Sequence, residues 1–380
     1  MNPYLNIDCI LLIIKLLDDQ TKRELLLSNW ALYYYFNKYY ISKCSFHINT
    51  NIPENINYYI QNIYGVIDID SCIKYNNLKT IKFDNNCNIK INTLIKLSKL
   101  KHLYFNIIYN EPINLFSKLT NLETLYLSVN FNQLLGNDKK CYLPTSLINL
   151  TIGMGFYKSI KCLKYLKNLQ TLIFDDYSNF DGKIVVLSSL SNLKILKFGL
   201  DFDRSIDTIS KLTNLTILNL GNSTYTIDKL YTLINLTTLT LGLSFNSSID
   251  IISKLTNLET LKFGSLFNKS IDYIKNLTKL CKLKLANNFN NSIATLPKSL
   301  TKLIIGQELR DYQLYLIRLS NLKSLKLNTK YNKFWNDYTL FPKSLRILKI
   351  PDTFDLNGKI KSYCFKNKIK LITMGKEIII

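Results

Sequence analysis

Apolar residues recur along most of this chain with a period close to 22 residues. Each unit begins at a leucine, and further apolar residues follow three and five positions later. Seven of the twelve spacings between consecutive starting leucines are 22 residues, and the others lie between 20 and 25. A period of this length predicts stacked copies of one supersecondary unit. The thirteen starting residues are Leu78, Leu100, Leu122, Leu147, Leu169, Leu193, Leu215, Leu236, Leu258, Leu280, Leu300, Leu322 and Leu345.

The unit that begins at Leu236 shows the internal pattern. When Leu236 is counted as position 1, apolar residues occupy positions 4, 6, 10, 14, 17 and 20. Alternation at positions 4 and 6 predicts a short strand with one buried face. The spacing of three at positions 14, 17 and 20 predicts a short helix, a 3₁₀ turn or an extended return segment. Because one unit cannot bury this surface alone, we expect an α/β solenoid whose parallel strands line a concave face.

The repeats resemble the leucine-rich repeat family, and their Leu-Thr-Asn-Leu lead-ins resemble its short-repeat class. Within that family they are similar to the FNIP repeat of social amoebae and of giant viruses that infect amoebae. The resemblance implies about thirteen repeats over residues 77–351, followed by a C-terminal cap over residues 352–380. It is carried by Phe-Asn or Tyr-Asn at positions 10 and 11 and by a proline before three strands, at Phe131, Phe245, Phe267, Phe289, Tyr109, Tyr331, Pro144, Pro297 and Pro342.

Residues 1–45 depart from the repeat and show helical periodicities. Short helices before a leucine-rich repeat resemble an F-box, a module that docks onto the Skp-type adaptor of a cullin ubiquitin ligase. The resemblance implies an F-box-like module over residues 1–45 and a connector with an N-terminal cap over residues 46–76. In the alternative interpretation these helices only cap the first repeat. The residues that match the adaptor-binding positions are Leu5, Ile10, Leu11, Ile14, Leu17 and Leu25.

The 380-residue chain has a formal net charge of +22, and this charge falls within the repeats. Residues 1–62 contain five basic and five acidic residues, so they contribute none of the excess. Several repeats carry lysine at positions 3 or 5, which point outward from the strand. We expect a basic ladder from Lys262 onward, interrupted by Ile304, that attracts an acidic protein segment or a phosphate backbone. These concave-face lysines are Lys197, Lys262, Lys282, Lys284, Lys302, Lys326 and Lys349.

Two other features of composition bear on the partner. Lysine outnumbers arginine 44 to 5, which is typical of an AT-rich gene and disfavours the bidentate phosphate contacts that arginine makes. An ordinary solvated lysine surface is therefore an alternative, and nucleic acid is the less favoured partner. Closer to the N-terminus, position 5 is occupied by Tyr104 and Tyr126, which favour contact with a protein.

No known catalytic motif is present. The sequence lacks a phosphate-binding loop, a nucleophile elbow and a metal-spaced cluster, and neither histidine has a cysteine or carboxylate motif beside it. The eight cysteines are scattered without a CxxC pair, which argues against zinc and against a disulfide framework. We therefore expect a non-enzymatic protein with no cofactor. The glycines at position 7 are predicted to be turn residues: Gly153, Gly199, Gly221, Gly242, Gly264 and Gly306.

The N-terminus has no secretory signal pattern, and no uninterrupted apolar run reaches the roughly 18 residues of a membrane span. The sequence therefore predicts a cytoplasmic protein. The combined hypothesis is a substrate-recognition adaptor for a cullin-type ubiquitin ligase. Its alternatives are a leucine-rich-repeat scaffold with no link to ubiquitin, and a basic face for nucleic acid or an anionic surface.

Overall fold

Short strands, each from a successive unit, form one sheet in which each strand pairs with the next along the chain. The computed structural model describes residues 45–47, 60–89, 91–105, 108–310, 313–328, 341–351, 359–373 and 376–378. The pairings from β1 to β16 are parallel, and β17 is antiparallel to β16. The strands are β1 Ser45–His47, β2 Asn62–Asp68, β3 Thr80–Asn88, β4 His102–Tyr104, β5 Thr124–Tyr126, β6 Asn149–Ile152, β7 Thr171–Phe174, β8 Ile195–Phe198, β9 Ile217–Leu220, β10 Thr238–Thr240, β11 Thr260–Lys262, β12 Lys282–Lys284, β13 Lys302–Ile305, β14 Ser324–Leu327, β15 Ile347–Ile350, β16 Lys370–Thr373 and β17 Lys376–Ile378.

The register of this sheet places equivalent positions of neighbouring units beside each other. Leu239 at position 4 lies between Leu218 and Leu261, the position-4 residues of the units before and after it. All three are fully buried, as are the starting leucines of the same units. Stacking therefore converts a short apolar pattern that no unit could bury alone into one continuous core. The predicted leucine-rich-repeat solenoid is confirmed.

Most units return along the opposite side through a short 3₁₀ segment. In the unit of Leu236, Ile249, Ile252 and Leu255 are buried. The Ile252 N–H donates to the Ile249 carbonyl at 3.0 Å, and the Leu255 N–H donates to the Ile252 carbonyl at 2.9 Å. Since i to i+3 hydrogen bonds bring every third side chain to one face, this spacing suits a 3₁₀ turn. The 3₁₀ segments are Asp70–Cys72, Phe116–Lys118, Lys161–Tyr165, Val185–Ser189, Asp207–Lys211, Asp228–Thr232, Asp250–Lys254 and Asp272–Ile274; α-helical segments are Ile91–Leu94, Gln313–Leu316 and Lys359–Lys366.

The Phe-Asn pair at positions 10 and 11 joins neighbouring units in two ways. The ring of Phe267 stacks between those of Phe245 and Phe289, with centroid separations of 6.1 and 6.2 Å. One residue later, the Asn246 side-chain oxygen accepts the backbone N–H of Asn268 at 2.9 Å. The phenylalanine therefore extends the core while the asparagine satisfies a backbone donor of the next unit.

Asparagines at the end of the Leu-Thr-Asn-Leu lead-in form another ladder. The side-chain amide of Asn214 donates to the Ser191 carbonyl at 2.8 Å, and that of Asn235 donates to the Thr213 carbonyl at 2.9 Å. Asn257 repeats the contact with the carbonyl of Ile234 at 2.9 Å. Each amide therefore satisfies a carbonyl oxygen of the preceding unit at the entrance to a strand.

Both ends of the repeat region extend the sheet. Residues 46–76, predicted as connector and cap, contribute β2, and its Ile63 lies beside Ile81 of β3. Gly65 adopts φ 66° where the β2–β3 register shifts, so a left-handed backbone accommodates the irregularity. After β15, the helix Lys359–Lys366 leads into β16, which adds one further parallel strand before β17.

Several glycines at position 7 begin the turn after a strand, as predicted, and they also allow close approach between backbones. The N–H groups of Phe202 and Phe245 donate to the carbonyls of Gly199 and Gly242, each at 3.2 Å. Of the six glycines at position 7, only Gly221 has a positive φ, at 60°. At Gly264, a Cβ atom would overlap the carbonyl oxygen of Gly242 in the preceding unit. A side chain at this position would separate neighbouring units, so stacking, in addition to the turn, requires glycine.

Candidate functional site

The concave sheet face is free of carboxylates over its regular part. In β3 to β15, the outward positions 3 and 5 contain no Asp or Glu, whereas eight of them are lysine. On the opposite side, aspartates begin several 3₁₀ segments, including Asp207, Asp228, Asp250 and Asp272. These aspartates of the 3₁₀ segments are therefore separated from the outward strand positions by the thickness of the solenoid, whereas Asp175 and Asp176 lie in the loop directly after β7. The eight lysines are Lys82, Lys197, Lys262, Lys282, Lys284, Lys302, Lys326 and Lys349.

Six of these lysines form what we call the basic patch, on strands β11 to β15. Lys262 lies beside Lys284, and Lys282 lies beside Lys302. Ile304 separates Lys284 from Lys326, as the sequence predicts. Given the ~4.8 Å spacing of strands, the patch extends for about 20 Å along the concave face. It consists of Lys262, Lys282, Lys284, Lys302, Lys326 and Lys349.

No member of the basic patch forms an ion pair within the part of the chain that the structure describes. The ion pairs found there involve other residues. Lys262, Lys282, Lys284, Lys302 and Lys326 are exposed, and Lys349 is half-buried. Adjacent ammonium groups repel one another, so the patch holds a positive potential that an anionic ligand would neutralise.

A depression of about 270 Å³ lies beside the basic patch, where the strands lead into their loops. Lys262 and Lys284 line one side of it. Asp176 and the largely exposed Tyr177 contribute from the loop after β7, and Asn287 from the loop after β12. The depression therefore presents two cations, a carboxylate, an aromatic ring and an amide to the same ligand. Sequence reasoning missed Asp176, Tyr177 and Asn287 because loop direction does not follow from the repeat pattern.

Tyrosines line the N-terminal part of the concave face. In register order, Tyr64, Lys82, Tyr104 and Tyr126 are neighbours on β2 to β5. Burial raises the pKa of Tyr104, with a further contribution from Tyr64; burial and then Asp175 raise the pKa of Tyr126. Both hydroxyls thus stay protonated and able to donate hydrogen bonds. Tyr64 escaped the sequence analysis because its unit is shorter than the others.

His102 lines a shallow cavity of about 350 Å³ together with Tyr64, Thr80, Lys82 and Tyr104. Burial is the main reason why its pKa is lowered. Glu123 opposes this shift and Lys101 adds to it. The imidazole is therefore held in its neutral form, in which one ring nitrogen donates and the other accepts a hydrogen bond.

The predicted site residues fall into four groups. Each strand from β11 to β15 carries at least one lysine of the basic patch, and Tyr104 lies directly beside Tyr126. Lys197 stands apart, between Ile173 and Asn219. The adaptor-binding residues lie outside the described residues: Leu5, Ile10, Leu11, Ile14, Leu17 and Leu25.

The described part of the chain provides no cluster of three or more His, Cys, Asp or Glu side chains that could hold a metal ion. Within the same residues, no helix has the length and apolar character needed to cross a bilayer.

The fold is that of known leucine-rich-repeat proteins. An internalin F of Listeria monocytogenes is 24% identical with a TM-score of 0.59, over 72% of this chain and 81% of that one. The protein LIC12759 of Leptospira interrogans is 18% identical with the same TM-score of 0.59, over 84% of this chain and 92% of that one. CroV588, described as a circular leucine-rich-repeat protein, is 23% identical with a TM-score of 0.57; 84% of this chain covers 50% of it. No protein-family model and no curated protein matches the sequence.

Proposed function

We propose that this solenoid is a protein-binding scaffold and that its basic patch binds an acidic segment of a partner protein. The observation that carries the proposal is the uneven distribution of carboxylates: the 3₁₀ segments contain both aspartates and lysines, whereas positions 3 and 5 of strands β3 to β15 contain lysines and no carboxylate. Lysines are adjacent on the outward strand positions, where carboxylates are missing from β3 to β15, while aspartates begin the 3₁₀ segments opposite. An acidic segment laid across β11 to β15 would bring carboxylates to ammonium groups that have no ion-pair partner among the described residues.

Composition alone does not account for this arrangement. An AT-rich gene raises the number of lysines on every surface, and it does not remove aspartate from one face while retaining it on another. The solvated-surface interpretation therefore explains why lysine is used in place of arginine, but it leaves the uneven distribution of carboxylates unexplained. A selected electrostatic surface accounts for both the position and the sign of the charge.

A protein fits the concave face better than a nucleic acid does. Recognition of phosphates usually employs arginine, and every cation of the basic patch is lysine. The tyrosines at Tyr64, Tyr104 and Tyr126 add an amphipathic surface typical of protein interfaces. A partner that spans both regions would combine aromatic contacts near β4 with ion pairs beyond β11.

The experiment compares two labelled probes, an oligoglutamate peptide and a DNA duplex, by fluorescence anisotropy with the full chain. We expect the peptide to bind and the duplex to bind more weakly at physiological salt. Raising the salt concentration should weaken both, because surface charges are screened. Tighter binding of the duplex, with the steep salt dependence of counterion release, would instead support the nucleic-acid alternative.

We further propose, as the finer role, that the protein recruits its partner to a cullin-type ubiquitin ligase in the cytoplasm. The support is the resemblance of residues 1–45 to an F-box; of that segment, the structure describes Ser45 alone. The test is a pull-down of a purified Skp-type adaptor by the full chain and by an Ile10→Asp variant. The adaptor role is supported if the full chain captures the Skp-type adaptor and the Ile10→Asp variant, with an unchanged circular dichroism spectrum, does not. Capture by neither reduces residues 1–45 to a cap.

A further inference from the structure

Two cysteines that are distant from any recognisable motif meet on neighbouring units. Cys141 is half-buried and Cys162 is buried, and both are free thiols. A Cβ atom built on Gly136 would lie 2.9 Å from the Cα of Cys141 and 3.0 Å from the Cβ of Cys162. Both cysteines therefore converge on the same point, while the Cys141 thiol contacts the Leu135 carbonyl of its own hairpin at 3.8 Å. This proximity is compatible with the separations that disulfides require.

The approach of the two thiols depends on an insertion. The unit that begins at Leu122 is 25 residues long, and its additional residues form a small hairpin. The Asn137 N–H donates to the Lys140 carbonyl at 2.8 Å, and a single antiparallel bridge pairs Gly136 with Cys141. This hairpin holds Cys141 against the 3₁₀ segment of the next unit, which contains Cys162.

Further contacts fasten the same hairpin to the same 3₁₀ segment. The Tyr165 hydroxyl donates to the Asp138 carbonyl at 2.9 Å, and the Lys161 ammonium lies 3.6 Å from the Asp138 carboxylate. The two cysteines are thus held together by neighbouring contacts that are independent of them. Since a disulfide forms with little strain only where the backbones are already placed, this site is prepared for one.

We propose that Cys141 and Cys162 form a reversible disulfide that locks the hairpin to the following repeat. The oxidant is a low-molecular-weight disulfide such as oxidised glutathione. The Cys141 thiolate attacks one sulfur of the oxidant, forms a mixed disulfide and releases one glutathione thiolate. Cys162 then loses its proton and attacks the Cys141 sulfur, which forms the protein disulfide and releases the second glutathione. The protein loses two electrons and two protons, and the oxidant becomes two thiols.

The environments of the two sulfurs fit these roles. The hydrogen bond from Cys162 lowers the pKa of Cys141, against the opposing effect of burial, and a backbone hydrogen bond from Leu143 lowers it further. The same contact and burial raise the pKa of Cys162. The more accessible sulfur is thus the better thiolate, which suits it for the first attack. Cys162 suits the resolving step because its target is adjacent.

The test treats the reduced full-length protein with oxidised glutathione, blocks the remaining thiols, and maps the peptides by mass spectrometry. We expect a peptide pair joined through Cys141 and Cys162 as the main product, reversed by dithiothreitol. The half-buried Cys281 is the matched internal control, because no cysteine neighbours it among the described residues. It should carry at most a glutathione adduct.

Two variants keep the inference open to refutation. In Cys162→Ser, the second step is blocked, so Cys141 should accumulate as the mixed disulfide with glutathione. In Cys141→Ser, the buried Cys162 should remain a thiol. Trypsin should also cleave after Lys139 and Lys140 more slowly in the oxidised wild type than in either variant. The proposal is overturned if wild-type Cys141 stays unmodified, stays as the mixed disulfide, or joins a different cysteine.

Discussion

Phe267 shows how a single side chain contributes to stacking. Its ring packs against Phe245, Phe263 and Phe289, at centroid distances of 6.1, 4.2 and 6.2 Å, and it has no solvent exposure. It therefore belongs simultaneously to its own unit and to both neighbours. A side chain in this position stabilises the interfaces between units, from which a repeat protein derives most of its cooperativity.

We predict that Phe267→Ala lowers the free energy of unfolding by about 3–5 kcal/mol, because it removes buried area and leaves a cavity between three units. Urea denaturation followed by circular dichroism measures the change. Phe267→Leu is the control, since it retains much of the volume and should cost distinctly less. Equal losses in the two variants would contradict this, because they would mean that the buried volume retained by leucine does not stabilise the fold.

His102 links stability to pH. Burial holds its folded pKa below the ordinary value of 6.5, so the unfolded chain binds more protons as the pH falls. The contribution of the neutral imidazole to the free energy of unfolding is complete above pH 6.5. It is lost as the pH falls from 6.5 through the lower pKa of His102 in the folded state. We predict that His102→Gln reduces the loss of stability on mild acidification. Urea midpoints of both proteins on either side of pH 6.5 test this, and parallel shifts would contradict it.

At the level of elements, the spacing between units is limited by backbone contact after each strand. Gly264 and Gly242 are equivalent positions of consecutive units, and a methyl group on Gly264 would overlap the Gly242 carbonyl. Even alanine at Gly264 would therefore require the neighbouring backbone to move. Position 7 controls how closely one strand-to-loop segment can approach the previous one.

Gly264→Ala should therefore destabilise the protein by at least about 1 kcal/mol, because the neighbouring backbone must move. Gly155→Ala is the matched control, since its Cβ would meet the nearest atom, the Val129 carbonyl oxygen, at 3.1 Å. We expect a smaller effect there. Thermal unfolding of both variants measures the difference, and a tolerated Gly264→Ala would show that units can shift apart without loss.

The repeat period predicts most elements because each buried position recurs in phase. Leu239, Phe245 and Ile252 can be placed in the core from one unit and then extended to the others. Details that break the period could not be obtained in this way. The contact of Cys141 with Cys162 depends on the fold of an insertion, and the β2 unit is recognisable only after its pairing with β3 is known.

At the level of the whole molecule, the repeat places similar side chains on the same face of successive strands, and together they create an electrostatic potential over that face. A lysine at one outward strand position has little effect, whereas six on β11 to β15 create a positive surface. The aspartates that begin the 3₁₀ segments are held on the other side by the same repetition. The site can be predicted from sequence to this extent, because position within a unit determines the face. The identity of the partner lies beyond it, since the period says nothing about what is bound.

The central claim is that the basic patch, and not the overall charge of the protein, binds an acidic partner. The most direct measurement compares oligoglutamate binding by two double variants of equal net charge. Lys262→Glu with Lys284→Glu reverses charge on adjacent concave strands, while Lys211→Glu with Lys254→Glu does so on exposed positions of the 3₁₀ segments. We predict at least about a tenfold loss of affinity for the first pair and little change for the second. Equal losses in both would contradict a site on the concave face.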